Sequence, residues 1–184
     1  MAVRQIRLIG DPVLRTKAQE VTEFGPELHK LIEDMMETMR DTEGVGLAAP
    51  QIGVEQRVFV FEVGEMVGHI INPVLTNSDE VQEPRNEGCL SIPGLSYPVV
   101  RSRQTKITGQ DMHGNNLEIM GEDLLATVFQ HENDHLDGVL FIDRLVKADK
   151  RAAQAQLNSV DYQNTIKRTV QERAGSVGSA FGLN

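Results

Sequence analysis

The sequence contains little that would suit a secreted or membrane-embedded protein. Only one of its 184 residues is a cysteine, Cys89, so no disulfide can form within the chain, as expected in a reducing compartment. No apolar run approaches the length that spans a bilayer. The first residues lack the long apolar core and small-residue cleavage site of a secretory signal, and they are too poor in Ser and Arg for a transit peptide. We therefore expect a cytoplasmic protein without membrane contact, with a bacterial cytoplasm favoured.

Positive charge is scarce over most of the chain, whose formal net charge is −9. From Arg144 onward, however, seven Lys or Arg outnumber three Asp or Glu. An acidic body argues against DNA binding. The basic end could contact the RNA of a ribosome, although a solvated helix of mixed charge is the favoured explanation.

The length and the spacing of apolar residues indicate one α+β domain. Residues 1–165 fit a single catalytic domain, and we expect 166–184 to be a flexible tail because the end is rich in Gly, Ser and Ala. Apolar residues three and four positions apart predict helices, at 26–41, 122–137 and 147–160. Strand-forming composition predicts short, mainly antiparallel strands, at 57–63, 68–71 and 99–109. Asn72-Pro73 should interrupt this pattern, and Asp111–Asn115 reads as a hairpin turn.

The second helix contains the segment H-E-N-D-H, from His131 to His135. Positions i and i+4 share one face of a helix, so both imidazoles can point at a single metal ion, and Glu132 lies beside them. With five histidines in the chain, this spacing can also arise by chance on an amphipathic helix. Val128 shares the stripe and suggests that the histidines face the interior, where buried imidazoles need partners. A metal ion would satisfy both rings.

A catalytic metal usually has a third protein ligand, and several side chains could supply it. The candidates are Cys89, His113, His69, His29 and many carboxylates. Cys89 lies in a stretch rich in Gly and Pro, and a thiolate is a strong ligand for borderline and soft metals. His113 lies in the expected turn. We favour Cys89 for these reasons.

Three segments, taken in order, resemble the motifs of the peptide deformylases. They are G-V-G-L-A-A-P-Q from Gly44 to Gln51, E-G-C-L-S from Glu87 to Ser91, and H-E-N-D-H. The resemblance extends over about residues 6–145, and no other family known to us carries all three motifs. It implies an enzyme that removes the N-formyl group from the N-terminal formyl-methionine of new polypeptides and releases formate. It also implies short, mainly antiparallel strands around a central metal-binding helix.

The resemblance also implies roles for individual residues. Cys89, His131 and His135 would hold one divalent metal ion, with Glu132 as general base and acid. The family's metal is typically Fe²⁺, and the same ligands are compatible with Zn²⁺, Ni²⁺ or Co²⁺.

Further roles concern the substrate. The side-chain amide of Gln51 and the backbone N–H of Leu90 would stabilise the oxyanion. Six residues would contact the formyl-methionyl peptide: Gly44, Val45, Gly46, Glu87, Leu124 and Val128.

One residue departs from the family pattern. Asn133 stands where the family usually has an apolar residue, and its position suggests that it faces away from the ligands. Asp134 and Arg101 correspond to an acid and an arginine that pair behind the metal helix and orient it.

Two other functions fit parts of the pattern. The H-E-x-x-H motif alone also occurs in metalloproteases that cleave internal peptide bonds, although their third ligand is usually His or Glu. A non-catalytic metal-binding or ribosome-associated module would need only the ligands. The complete set of base, oxyanion donors and ligands favours the deformylase reading over both.

Overall fold

A computed structural model describes residues 2–175 of the chain. No helix within this range is both long and apolar enough to cross a membrane. The helices are α1 (Pro26–Asp41), α2 (Asp123–Leu136), α3 (Lys147–Leu157) and α4 (Val160–Ala174), with 3₁₀ turns at Pro12–Arg15, Ala49–Ile52 and Phe141–Asp143. The strands are β1 (Gly46–Ala48), β2 (Val58–Val63), β3 (Met66–Asn77), β4 (Arg85–Cys89), β5 (Ile92–Val99), β6 (Gln104–Gln110) and β7 (Asn116–Glu122).

The strands form two antiparallel sheets. Five strands make the larger sheet in the order β1-β2-β3-β6-β7, and β4 pairs with β5 in a separate two-stranded sheet. Because β1 is at one edge of the larger sheet, one side of this short strand is not used by a neighbouring strand. These sheets with their four helices confirm the expected α+β class.

Strand β3 is longer than the sequence pattern predicted. The expected break at Asn72-Pro73 is instead an irregularity inside the strand, where the register with β6 shifts between Ile71 and Val74. Asn72 has a positive φ of 51°, and its side chain both accepts from and donates to the main chain of Val21. Those two bonds stabilise the bulge, so pairing resumes after the proline.

Helix α1 covers one face of the larger sheet. Pro26 occupies its first turn, and the methionines of its apolar stripe pack inward, with Met35 and Met39 fully buried. The helix packs against β2, so the methionine-rich stripe belongs to the core.

Helix α2 lies in the centre of the molecule. It starts directly after β7, and it packs against β1, β2, β6 and β7. Phe129 is fully buried against Phe59 and Phe61. Gly138 follows the helix with a φ of 71°, the left-handed conformation expected after a helix end. The H-E-N-D-H segment is therefore carried by a rigid element.

The C-terminal part requires a correction to the expected domain limits. The boundary placed at residue 165 falls inside α4, which continues as a helix to Ala174. Residues 166–174 are part of the fold because α4 packs on β5, with Tyr162 buried and Ile166 partly buried in the same apolar cluster as Ile92 and Leu95. The rest of the expected tail, 176–184, is outside the described residues.

Candidate metal centre

Three potential metal ligands meet where α2 passes the end of β4. One donor atom each from Cys89, His131 and His135 lies within 4.8 Å of the other two, and this is the one such group found among residues 2–175. The Cys89 sulfur is 3.3 Å from Nε2 of His135. The two imidazole rings are 5.0 Å apart and steeply inclined, as the i and i+4 positions on one helix face allow. This grouping comprises the three residues that the sequence selected.

The orientation of His131 is fixed by Glu87. Nδ1 of the imidazole is 2.8 Å from a carboxylate oxygen of Glu87, which leaves Nε2 for a ligand. Burial opposes ionisation of Glu87, but hydrogen bonds from Arg101 and His131 lower its pKa to about 2. Glu87 is therefore an anion that holds the ring from behind.

The electrostatics of the cluster favour a bound cation. Burial lowers the pKa of His131, but hydrogen bonds with Cys89 and Glu87 outweigh it and raise the pKa well above its usual value. Burial also lowers the pKa of His135, which keeps this ring neutral, as a metal ligand must be. A thiol and two imidazoles around one point are the donors that borderline divalent metals prefer. The residues present therefore fit a divalent metal ion.

Glu132 lies beside the ligands and faces the same cavity. Its Oε2 is fully buried and has no hydrogen-bond partner among the described residues. Burial raises the pKa of Glu132 to about 7. Gly46 makes room for it, because a Cβ built there would lie 2.8 Å from the carboxylate carbon of Glu132. Glu132 is thus a buried acid whose Oε2 is available to a guest molecule.

Gln51 directs its amide NH₂ group toward the cluster. Its Oε1 accepts a hydrogen bond from the backbone N–H of Ala48 over 2.8 Å, so the NH₂ end points the other way. That end donates to Ser91 Oγ over 3.2 Å and lies 3.6 Å from the Cys89 sulfur. The buried 3₁₀ turn Ala49–Ile52 thus presents a donor beside the potential ligands.

The expected substrate-contacting residues border one cavity of about 620 Å³. Its walls include the three segments that carry the motifs, together with Leu90 and the start of β5. All six expected contact residues line it: Gly44, Val45, Gly46, Glu87, Leu124 and Val128. Val45 and Leu124 are exposed apolar side chains, whereas Glu87 is buried and serves His131. The carboxylate of Glu87 is therefore held behind the site by His131.

A chain of charged residues, buried except for Arg144, supports the cluster from behind. Arg101 forks onto both carboxylate oxygens of Glu87 at 2.7 and 2.9 Å, and its third nitrogen donates to Asp134 over 2.7 Å. Arg144 also donates to both oxygens of Asp134. Asn133 instead bonds to Asp137 and borders a different cavity, so it points away from the ligands.

The other three histidines are elsewhere in the molecule. Nε2 of His29 bonds to the carbonyl of Met112, and Nε2 of His69 accepts from the N–H of the same residue. The rings of His29 and His113 are in edge contact, 5.1 Å apart. His29 on α1 and His69 on β3 thus hold the β6–β7 hairpin through Met112, and none of the three histidines takes part in the metal cluster.

Three residues near the site were not selected from the sequence. Ser91 accepts a hydrogen bond from Gln51. Arg144 donates to Asp134 and completes the charge chain. Arg173 on α4 donates to the carbonyl of Leu90. Ser91 was inside a recognised motif and could have been considered. No local pattern marks the two arginines, which are far from the motifs along the chain.

Known proteins resemble this chain over nearly all of its described length. The profile of the family described as polypeptide deformylase matches residues 3–151. A peptide deformylase of Acidothermus cellulolyticus is 54% identical over 168 residues, which cover 91% of this chain and 93% of that relative. A peptide deformylase of Thermotoga maritima is 45% identical over 164 residues, covering 89% of this chain and 99% of the relative.

Solved structures agree with the sequence relatives. A crystal structure of a peptide deformylase from Legionella pneumophila superposes with a TM-score of 0.82 at 40% identity, covering 94% of this chain and 99% of the other. A peptide deformylase from Ehrlichia chaffeensis, in complex with actinonin, gives a TM-score of 0.80 at 34% identity, covering 87% and 99%.

Proposed function

Because this chain belongs to the peptide deformylase family, whose members remove the N-formyl group from nascent peptides, we propose that Cys89, His131 and His135 hold its catalytic metal ion. The observation that carries this proposal is the meeting of their three donor atoms within 4.8 Å. The enzyme is a metal-dependent hydrolase of formyl-methionyl peptides. When bound, the ion supplies Lewis acidity toward the formyl oxygen and toward water.

Glu132 is the proton carrier in this proposal. Its carboxylate lies in the cavity that the formyl group must enter, and its buried Oε2 has no partner in the described residues. Such a group can accept a proton from an attacking water and return it to the departing amine. The products are formate and a peptide with a free N-terminal methionine.

Gln51 and Leu90 are the proposed oxyanion donors. The NH₂ group of Gln51 already points toward Cys89, because its oxygen is held by Ala48. Leu90 follows Cys89 directly and lines the same cavity, so its backbone N–H is the second candidate. One such donor is typically worth about 3 kcal/mol of transition-state stabilisation.

The walls of the cavity suit a methionyl peptide. Val45, Leu124 and Val128 offer apolar surface for an unbranched side chain. The unpaired edge of β1 begins at Gly46, and an extended peptide can bind there by adding a strand. Gly44 precedes it on the cavity wall and adds no side chain that would obstruct the peptide.

The proposal is tested with the metal-loaded enzyme, formyl-Met-Ala-Ser and an internally quenched peptide without a formyl group. Wild-type enzyme should release formate from the first and leave the second intact. Glu132→Gln should retain the metal and lose nearly all turnover, because the amide cannot accept the proton. Cys89→Ala should lose tight metal binding by elemental analysis. Cleavage of the quenched peptide would indicate an internal protease, and an active, fully metallated Cys89→Ala enzyme would remove Cys89 from the ligand set.

We propose Fe²⁺ as the metal. One thiolate and two imidazoles are compatible with Fe²⁺, Co²⁺, Ni²⁺ or Zn²⁺, and the resemblance to the family favours iron. Activity should then decay in air, persist under reductant, and return after exchange with Ni²⁺. Activity that is indifferent to oxygen would support zinc.

We also propose a cytoplasmic enzyme that meets its substrates at the ribosome. Helix α3 carries Lys147, Lys150 and Arg151, and α4 adds further basic residues to an otherwise acidic chain. Replacing these three residues of α3 by Gln should weaken cosedimentation with ribosomes at low salt. Unchanged cosedimentation would exclude this helix as the contact.

A further inference from the structure

The C-terminal helix brings a cation to the wall of the catalytic cavity. Helix α4 packs on β5, the strand that begins just after the Cys89 motif. The contact is close at Gly94, where an added Cβ would lie 2.9 Å from the methyl group of Thr165. Two turns later, the end of α4 reaches the segment that contains Leu90.

Arg173 is the residue that makes this contact. Its Nη1 donates to the carbonyl oxygen of Leu90 over 2.9 Å, and its side chain lines the same cavity as Glu132. The residue is partly buried, and within residues 2–175 no carboxylate forms a salt bridge with it, although the charges of Cys89 and Glu172 attract it from farther away. Arg168 on the same helix differs, since it is 70% exposed and lies 3.8 Å from Glu172.

The guanidinium of Arg173 has hydrogen-bond donors that the Leu90 carbonyl does not use. It carries five N–H donors in a planar fork, and the Leu90 carbonyl occupies one of its nitrogens. A partly buried cation that forms no salt bridge favours an oxygen acceptor from a guest molecule. In the proposed function, Glu132 and the three ligands surround the formyl group, and Arg173 is not one of them. Arg173 borders the same cavity beside Leu90, so we take it to meet the chain that follows the methionine.

We infer that Arg173 is a specificity-determining residue that binds an oxygen of the substrate peptide on the C-terminal side of its formyl-methionine. The oxygen can belong to a main-chain carbonyl or to an acidic side chain. The inference rests on the proposed function, because it takes the cavity to be the peptide-binding site.

The test compares Arg173→Gln with Arg168→Gln, a matched charge change on the same helix outside the cavity. Four substrates are used, each with an amidated C-terminus: formyl-Met, formyl-Met-Ala-Ser, formyl-Met-Ala-Glu and formyl-Met-Ala-Lys. Arg173→Gln should raise KM about tenfold for the tripeptides and leave formyl-Met amide unchanged. An effect confined to the Glu peptide assigns the side-chain carboxylate, whereas an equal effect on all three assigns the main-chain carbonyl. Arg168→Gln should match wild type throughout.

Two outcomes would overturn the inference. An equal loss of kcat on formyl-Met amide and on the tripeptides would mean that Arg173 acts only by holding the Leu90 carbonyl. Unchanged constants for every substrate would mean that it does not act at all. Arg173→Lys keeps the charge and should restore part of the KM, and melting curves of all variants confirm that they fold.

Direct binding separates this inference from the proposed function. The affinity of the metal-loaded enzyme for the deformylated peptide Met-Ala-Glu amide is measured by calorimetry, without turnover. Arg173→Gln should weaken it about tenfold even if the wild-type enzyme released no formate, in which case the proposed function alone would fail. Equal affinity of wild type and Arg173→Gln for this peptide and for Met-Ala-Ser amide would contradict the inference alone.

Discussion

Close approach between Gly46 and Glu132 controls the geometry of the proposed base. The edge strand β1 passes directly over the Glu132 side chain, and only hydrogen occupies the space where a Cβ would stand. Gly46 therefore matters through steric room, since its φ is not among the positive values of the chain. The carboxylate is buried, so it has little freedom to move aside.

Replacing Gly46 by Ala should displace Glu132 and reduce turnover of formyl-Met-Ala-Ser by about a hundredfold, because displacements of about 1 Å at a reacting group cost that much. Steady-state kinetics and elemental analysis of the metal check the result. Gly25→Ala is the matched control, since nothing lies within 4 Å of a Cβ placed at Gly25. Wild-type activity in Gly46→Ala would show that Glu132 does not need its present position.

Arg101 is the centre of the charge chain. Its side chain is 5% exposed, and it neutralises Glu87 and Asp134 at once. Arg101→Ala would leave two buried carboxylates short of a partner, so the free energy of unfolding should fall by about 3–5 kcal/mol. The ring of His131 would also lose its fixed support, and metal affinity should fall about 10–100-fold.

Chemical denaturation and competition with a chelator measure the two effects of Arg101→Ala. Arg103→Ala is the control, because its ion pair with Glu80 is about half exposed and contributes little. Metal retention equal to that of wild type would exclude a role of Arg101 in orienting the ligands.

At the level of elements, the β6–β7 hairpin is attached to the rest of the fold by imidazoles. The N–H of Met112 donates to Nε2 of His69 over 2.9 Å, which requires that nitrogen to be unprotonated. The pKa of His69 lies below its usual value, chiefly because the ring is buried. The charge of Asp111 raises this pKa, whereas His113 and His29 lower it further. The hydrogen bond therefore contributes fully above the ordinary imidazole pKa of about 6.5, and is lost as the pH falls through the lower pKa of the folded protein.

Acid should therefore loosen this hairpin before it unfolds the core. We expect the hydrogen-exchange protection factor of the Met112 amide to fall as the pH is lowered below about 6.5. In His69→Gln, a side-chain oxygen can accept the same bond at every pH, so the protection factor should vary less. A protection factor that stays constant in wild type over this range would contradict the assignment.

At the level of the whole molecule, the metal centre joins the two sheets. Cys89 ends β4 of the two-stranded sheet, whereas His131 and His135 belong to α2, which packs on the five-stranded sheet. An ion bound by all three ties the two sheets together. Ligand binding to the native state alone adds stability in proportion to the logarithm of the ligand concentration.

Removing the metal should therefore destabilise the whole fold. At a metal concentration about a hundredfold above Kd, the stabilisation amounts to about 2.7 kcal/mol, and chelation should lower Tm accordingly. Calorimetry before and after dialysis against a chelator measures the change. Cys89→Ala should show a much smaller shift, whereas equal shifts in both proteins would indicate that the metal binds without Cys89.

The features that depend on local geometry could be predicted from the sequence. The i and i+4 spacing of His131 and His135 follows from the pitch of a helix, and the apolar periodicity located α1 and α2 almost to the residue. Three short motifs were enough to select Cys89 as the third member of the cluster. The pattern did not show that β3 continues past Pro73, because the bulge depends on bonds between Asn72 and the distant Val21.

The distant charges that support and border the site could not be predicted, because they meet only in the assembled fold. Arg144 meets Asp134 through the packing of a loop against α2, and Arg173 reaches Leu90 from 83 positions away. The part of α4 that carries Arg173 is predicted to be a tail, because the end of the chain is rich in Gly, Ser and Ala. It belongs to the fold because β5 supplies the apolar surface that buries Tyr162. Contacts of this kind leave no local periodicity, since both partners are fixed only when the sheets and helices assemble.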